Sequence, residues 1–162
     1  MSIYNMIEIF GTISNVTELL AFCQSHKYLM QNTVSKYAQG RKELWIKNKC
    51  DLRQQVTITV GFNHPQLNEL GHKLLPNFDI GLLLFYPANT QIKLHRDHSL
   101  FSNIGVGINL SPSTFLITHD INIKPKEIEL KTGYCYRFNT KLLHGIKPVK
   151  YPRYAIYFWH FK

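Results

Sequence analysis

The sequence predicts a mostly β (α+β) fold, a double-stranded β-helix or jelly roll braced by N-terminal helices. Three observations predict it. After residue 79, eight short apolar runs follow one another with turn residues between them, the pattern of an antiparallel sandwich or barrel. Before residue 79, two stretches carry apolar residues at helical spacing and only one alternates like a strand. The 162 residues, 44% hydrophobic and 13% aromatic, fit one domain around one filled core. An α+β sandwich with the same strands differently connected is the alternative architecture.

Taken in order, residues 14–30 open with Ser14 and Asn15 as caps, and Val16, Leu19, Leu20 and Cys23 follow on one side, which predicts an amphipathic helix. Residues 55–61 (QVTITVG) are β-branched and alternating, a strand. Pro65 suits a first helical turn, and Leu67, Leu70, Leu74 and Leu75 line one side of a second, shorter helix over 65–75. The strands of the β half are expected at 81–86, 91–95, 104–110, 114–118, 127–130, 134–138, 143–149 and 154–161. Turns at Pro87-Ala88-Asn89, Ser111-Pro112-Ser113, Lys124-Pro125, Thr132-Gly133 and Tyr151-Pro152 separate them. Loops are expected at 31–54 and 98–103, shaping a substrate entrance. The whole chain, 1–162, reads as a single domain, with 1–78 a helical and strand support region and 79–162 the jelly-roll half.

Composition narrows the function classes. No stretch approaches the ~20 apolar residues that span a bilayer, and the N-terminus lacks the basic and apolar regions of a signal peptide. The expectation is a cytoplasmic protein with no membrane partner. Cys23, Cys50 and Cys135 are odd in number and form no CxxC pair, so they read as buried reduced thiols rather than a zinc or redox motif. The net charge of +9, from 19 Lys+Arg against 10 Asp+Glu, favours anionic partners, nucleic acid first. Lys36, Arg41, Lys42, Lys47, Lys49 and Arg53 cluster, although many basic domains bind no polymer.

The chemistry-bearing residues are His95, Asp97, His144 and Arg153. A His and an Asp two apart on a strand face the same way. A second His from a distant strand completes a 2-His-1-carboxylate face, which holds Fe(II) and leaves positions open. Taken alone, an HxD at a strand end is more often a turn cap or surface ion pair, and His144 could be an ordinary core histidine. Together they are more specific, and Gly145, directly after His144, lets backbone approach closely. On the last strand Arg153, Ala155, Tyr157, Trp159 and Phe161 share one face. An Arg buried there needs an anion, and a carboxylate suits its planar fork; an exposed strand-end Arg is the plainer reading. Tyr86 could reach a carboxylate in the barrel mouth or could be a core aromatic with its hydroxyl at the rim. His98, His119 and His160 lie off the pattern.

Residues 82–161 resemble the Fe(II)- and 2-oxoglutarate-dependent dioxygenase superfamily, most nearly its prolyl-hydroxylase-like branch. FYPANTQIKLHRD, GINLS, LKTGYCYRFNTKLLHGIKPV and PRYAIYFWHF carry the resemblance, which covers about half the chain. It implies that His95, Asp97 and His144 ligate the metal and are needed for turnover. It implies that Arg153 anchors the distal carboxylate of 2-oxoglutarate, with Tyr86, Asn109 and Trp159 also at the cofactor site. Two features depart from the branch. SPSTFLI stands where many members carry Gly-Gly-x-Leu, and Ile92 stands where some relatives place a second Tyr. INLSPSTFLI instead is similar to AlkB-like nucleic-acid demethylases, whose second Arg this chain lacks.

The resemblance implies Fe(II), 2-oxoglutarate as cosubstrate and O2, with ascorbate a further candidate, and a hydroxylation of a substrate C–H. A protein or peptide side chain such as proline leads. An AlkB-like oxidation of nucleic acid and a non-enzymatic jelly-roll binding module are the alternatives, and a small-molecule substrate stays open.

Overall fold

The computed structural model describes residues 6–162. In chain order the elements are β1 (Ile7–Thr12), α1 (Val16–Ser25), a 3-10 turn (Lys27–Leu29), β2 (Gln31–Asn32), β3 (Lys42–Ile46), β4 (Asn48–Asp51), β5 (Thr57–Val60) and α2 (Pro65–Leu74). There follow β6 (Ile80–Tyr86), β7 (Ile92–His95), β8 (Phe101–Asn109), β9 (Ser113–Thr118), β10 (Lys126–Leu130), β11 (Tyr134–Asn139), β12 (Leu143–Ile146) and β13 (Arg153–Phe161). Two antiparallel sheets form the jelly roll, one ordered β1-β11-β8-β13-β6-β3-β2 and the other β10-β9-β12-β7; β4 and β5 pair as a separate hairpin.

The sequence of β13, RYAIYFWHF, explains the layering. Its side chains alternate faces. Ala155, Tyr157 and Trp159 join the core between the sheets, with Phe115, Ile117 and Ile146 from the smaller sheet. Tyr154, Ile156 and Phe158 join a second core on the other face of the large sheet, with Leu19 and Cys23 of α1 and Leu67 of α2. A strand covered on both faces has no polar side, so β13 and β6 read as unbroken apolar runs. Every residue of β6 is buried.

The helices stand where the sequence places them, but the expected side-chain cap of α1 is corrected: Asn15 is at the N-cap position and its side chain makes no capping hydrogen bond. α1 stops at Ser25 rather than running to 30. The Phe22 carbonyl accepts the last-turn bond from the His26 amide at 3.2 Å, and Ser25 Oγ and His26 Nδ1 each lie 2.8 Å from the same oxygen, so side chains supplement the final backbone bond of the helix. α2 is capped by His64, whose Nδ1 accepts from the Gln66 amide at 3.2 Å.

The expected loop at 31–54 is corrected. It contains β2, β3 and β4, and β3 pairs with β6 from Lys42↔Phe85 to Ile46↔Gly81. Its sequence, KELWI, hides the strand because Lys42, Glu43, Leu44 and Trp45 are all only partly covered. β1 was also not predicted; it pairs with β11 from Ile7↔Phe138 to Thr12↔Tyr134. The first residues of β8, Phe101 to Asn103, replace part of the loop expected at 98–103. Cys23, Cys50 and Cys135 are free and buried, and burial pushes the Cys23 thiol up to about 12 and the Cys50 and Cys135 thiols up to about 11. Among the described residues no helix is long and apolar enough to cross a membrane.

Candidate metal centre

β7 and β12 are neighbours in the smaller sheet, and their register sets His95 directly opposite His144. The strands run close here. A Cβ on Gly145 would lie 2.5 Å from the Ile92 carbonyl oxygen and 3.1 Å from the Lys93 carbonyl carbon. Only glycine lets β12 come this near β7.

Both imidazoles are locked in the same sense. His95 Nδ1 is 2.8 Å from the Lys93 carbonyl oxygen and His144 Nδ1 is 2.9 Å from that of Leu142. A carbonyl only accepts, so each Nδ1 carries the hydrogen and each neutral ring offers its Nε2 lone pair. Those Nε2 atoms lie 3.4 Å and 3.2 Å from one oxygen, Asp97 Oδ1. The other oxygen, Oδ2, accepts from Trp159 Nε1 at 3.1 Å, and the Asp97 amide donates to the Thr140 carbonyl at 3.1 Å. Asp97 is therefore aimed from both ends.

One ligand atom from each of His95, Asp97 and His144 falls within 4.8 Å of the others, the only such group of His, Cys, Asp or Glu among the described residues. The electrostatics are those of a buried carboxylate held between two imidazoles. Burial raises the Asp97 carboxyl, but His144 and His95 outweigh it and hold the group below the usual carboxylate range. Burial lowers His144, and Asp97 outweighs that and holds the imidazole above its ordinary value. Two imidazole nitrogens and one carboxylate, converging from one side, fit a 2-His-1-carboxylate Fe(II) site.

Arg153 opens β13 opposite Tyr86 of β6. It is wholly buried. Its Nε donates to Asn109 Oδ1 at 3.0 Å, its Nη2 lies 3.5 Å from the Tyr157 hydroxyl, and its Nη1 has no partner. A buried guanidinium with an unpaired nitrogen fits a carboxylate. Tyr86 lies against it, with the Arg153 Cζ 4.9 Å from the ring centroid. Asn109 acts on Arg153 and not on the cavity. Its amide nitrogen is taken by the Ser111, Leu130 and Lys131 carbonyls, and its oxygen also accepts from Ser113 Oγ at 2.9 Å.

A cavity of about 820 Å³ opens over the His95, Asp97 and His144 group, lined also by Tyr86, Tyr157 and Trp159, with Arg153 and Asn109 outside its lining. Its opposite wall is the segment expected to be loop. Arg41, Glu43 and Trp45 alternate into it from β3 and its lead-in, and Lys49, Cys50 and Asp51 from β4. Sequence reasoning missed Arg41 and Glu43 as site residues and placed Arg41 in a basic cluster. The period-2 pattern Arg41, Glu43, Trp45 was the available signal. Tyr37 was also missed; its ring stacks on His95 with centroids 5.6 Å apart. The basic cluster itself divides. Lys36, Lys49 and Arg53 are exposed at the cavity, Arg41 is buried in it, and Lys47 donates to the Phe78 carbonyl at 2.6 Å.

Three solved structures share this architecture. A prolyl hydroxylase from Trichoplax adhaerens, in complex with a hypoxia inducible factor oxygen degradation domain peptide fragment, has a TM-score of 0.72 and 18% identity, covering 97% of this chain and 84% of that one. The protein OsALKBH1 has a TM-score of 0.71 and 14% identity, covering 95% and 99%. A Pseudomonas putida prolyl-4-hydroxylase has a TM-score of 0.68 and 13% identity, covering 98% and 92%. At these identities the likeness shows the jelly-roll fold. No family model matches the sequence, and no curated protein matches it.

Proposed function

We propose that the chain is an Fe(II)- and 2-oxoglutarate-dependent dioxygenase that hydroxylates a substrate C–H, a protein or peptide side chain such as proline. The observation that carries this reading is the convergence of His95 Nε2, His144 Nε2 and Asp97 Oδ1 on one point of a cavity floor. The buried, half-satisfied Arg153 beside that floor supports the cosubstrate assignment. The Trichoplax neighbour, which shares the fold and holds a peptide, supports the substrate class.

When bound, iron and 2-oxoglutarate supply the oxidising power, with O2 consumed and succinate and CO2 released as the substrate gains its hydroxyl. The chain's own groups fix geometry. Lys93 and Leu142 carbonyls set the imidazole tautomers, and Trp159 orients Asp97. Arg153, steadied by Asn109, holds the distal carboxylate, with Tyr86 beside it. Tyr157 and Trp159 wall the cavity with aromatic surface that excludes water.

The test is direct. Anaerobic titration with Fe(II) and then 2-oxoglutarate should show one equivalent of each bound, and Asp97→Ala should abolish both. Retained stoichiometric binding in that variant would leave a jelly-roll binding module. Peptide libraries containing proline should raise succinate release above the substrate-free rate, and a flat response refutes the peptide assignment. The exposed Lys36, Lys49 and Arg53 at the cavity favour nucleic acid as the second reading. It requires single-stranded oligonucleotide binding that weakens steeply between about 50 and about 200 mM salt.

A further inference from the structure

We propose that Arg41 is a positioning residue for the cosubstrate, turning the Tyr86 hydroxyl so that its proton is presented to the carboxylate held by Arg153. The inference rests on the function proposed above and adds a residue from the N-terminal half of the chain to it. Arg41 is buried, 6% exposed, and every nitrogen of its guanidinium is engaged. Nε donates to Thr33 Oγ1 at 3.1 Å, Nη2 lies 3.6 Å from Glu43 Oε2, and Nη1 donates to the Tyr86 hydroxyl oxygen at 3.2 Å. Its two anchors are themselves joined, since Thr33 Oγ1 donates to Glu43 Oε2 at 3.0 Å. The Thr33 amide also donates to the Arg41 carbonyl at 2.9 Å. The fork is therefore held on three sides and cannot turn to follow a ligand.

That rigidity decides what Tyr86 can do. A phenol has one O–H to donate, and a guanidinium has no acceptor. With Arg41 donating to its oxygen, the Tyr86 hydroxyl must send its own hydrogen elsewhere, and among the described residues nothing accepts it. Tyr86 lines the cavity, faces Arg153 across the β6–β13 register, and covers its guanidinium. An incoming carboxylate that pairs with the free Nη1 of Arg153 is the acceptor this arrangement lacks.

The experiment titrates 2-oxoglutarate into the full chain loaded with Co(II), by calorimetry and tryptophan fluorescence. It compares wild type with Arg41→Met, Arg41→Lys, Tyr86→Phe and the Arg41→Met/Tyr86→Phe double variant. Loss of one hydrogen bond to a charged group should weaken binding about tenfold in Arg41→Met and in Tyr86→Phe. The double variant should be no weaker than Tyr86→Phe alone, because both changes remove the same bond. Arg41→Lys should recover part of the loss, and Co(II) affinity should not change. Succinate release should show a raised KM with kcat held. Wild-type affinity in Arg41→Met overturns the proposal, as does full additivity in the double variant or a fall in kcat equal to the rise in KM. Should Arg41→Met not fold, Thr33→Val, which frees one side of the fork, must show the same selective loss or the proposal fails. A wild type that binds no 2-oxoglutarate refutes the proposed function itself, whereas a binding wild type with an indifferent Arg41 refutes only this inference.

Discussion

Arg153→Met separates what folding needs from what the site needs. The guanidinium is permanently charged and wholly buried. Its contacts are one good hydrogen bond to Asn109 at 3.0 Å, one long one to Tyr157 at 3.5 Å and the face of Tyr86. Removing such a charge from water costs several kcal/mol. The bond to Asn109 returns about 1.5–3 kcal/mol and the Tyr86 face about 1–2 kcal/mol, which leaves Arg153 a net cost of about 2 kcal/mol to the free protein. Methionine fills similar space without charge, and Asn109 Oδ1 keeps its hydrogen bond from Ser113 at 2.9 Å. At about 2–4 °C per kcal/mol for a chain of this size, Arg153→Met should raise the ligand-free Tm by about 4–8 °C. The assay is calorimetric melting with and without 2-oxoglutarate on the Co(II)-loaded protein. Ligand at a hundred times its Kd should add about 2.7 kcal/mol to wild type and nothing to the variant. A variant that melts below wild type without ligand, or that gains the same ligand shift, refutes the reasoning.

Other expectations bear on the proposed metal ligands. Gly145→Ala forces a methyl to within 2.5 Å of the Ile92 carbonyl, so β12 must move away from β7; Co(II) affinity should fall more than about tenfold with a stability loss of about 1–3 kcal/mol, and an unchanged visible Co(II) spectrum would contradict this. Trp159→Phe removes the donor to Asp97 Oδ2 and should weaken metal binding by about 10–100-fold while the fold persists, read by equilibrium dialysis beside circular dichroism. pH should act on the metal-free protein through two opposed groups. His144 is raised above its ordinary 6.5, so its contribution to stability is full below that value and is lost as pH rises through the raised one. Asp97 is lowered from 3.8, so its contribution is full above that value and is lost as pH falls through the depressed one. Because metal must displace the His144 proton, Co(II) affinity should weaken as pH falls below the raised His144 value, with proton release on binding; a flat titration from about pH 5.5 to about pH 8.5 would contradict the coupling.

The legible part of this protein was the part written in short-range patterns. Runs such as GLLLF and RYAIYFWHF announce strands because burial on both faces leaves no polar side, and His95-x-Asp97 announces a candidate ligand pair because period 2 puts both on one side. Gly145 was readable because a strand glycine directly after a candidate ligand marks a close backbone approach. β3 was not: KELWI sits near the edge of the large sheet, where partial cover tolerates Lys and Glu beside Leu and Trp, and the apolar contrast that marks a strand disappears. The cap by His64 escaped notice because a histidine accepting from a helix amide looks in sequence like any other histidine.

The sequence by itself determined the class of fold, the two helices, and which residues could bind a metal or an anion, since side-chain chemistry and periodicity are properties of the chain alone. Only the tertiary structure decided which of these meet. Cross-strand register set His144 against His95, and a carbonyl two residues back turned each ring. The folding of an apparent loop into β3 carried Arg41 from a presumed surface patch to the Tyr86 hydroxyl, 45 residues away. Pairing between distant strands depends on the global arrangement of backbone hydrogen bonds, and no local pattern encodes it.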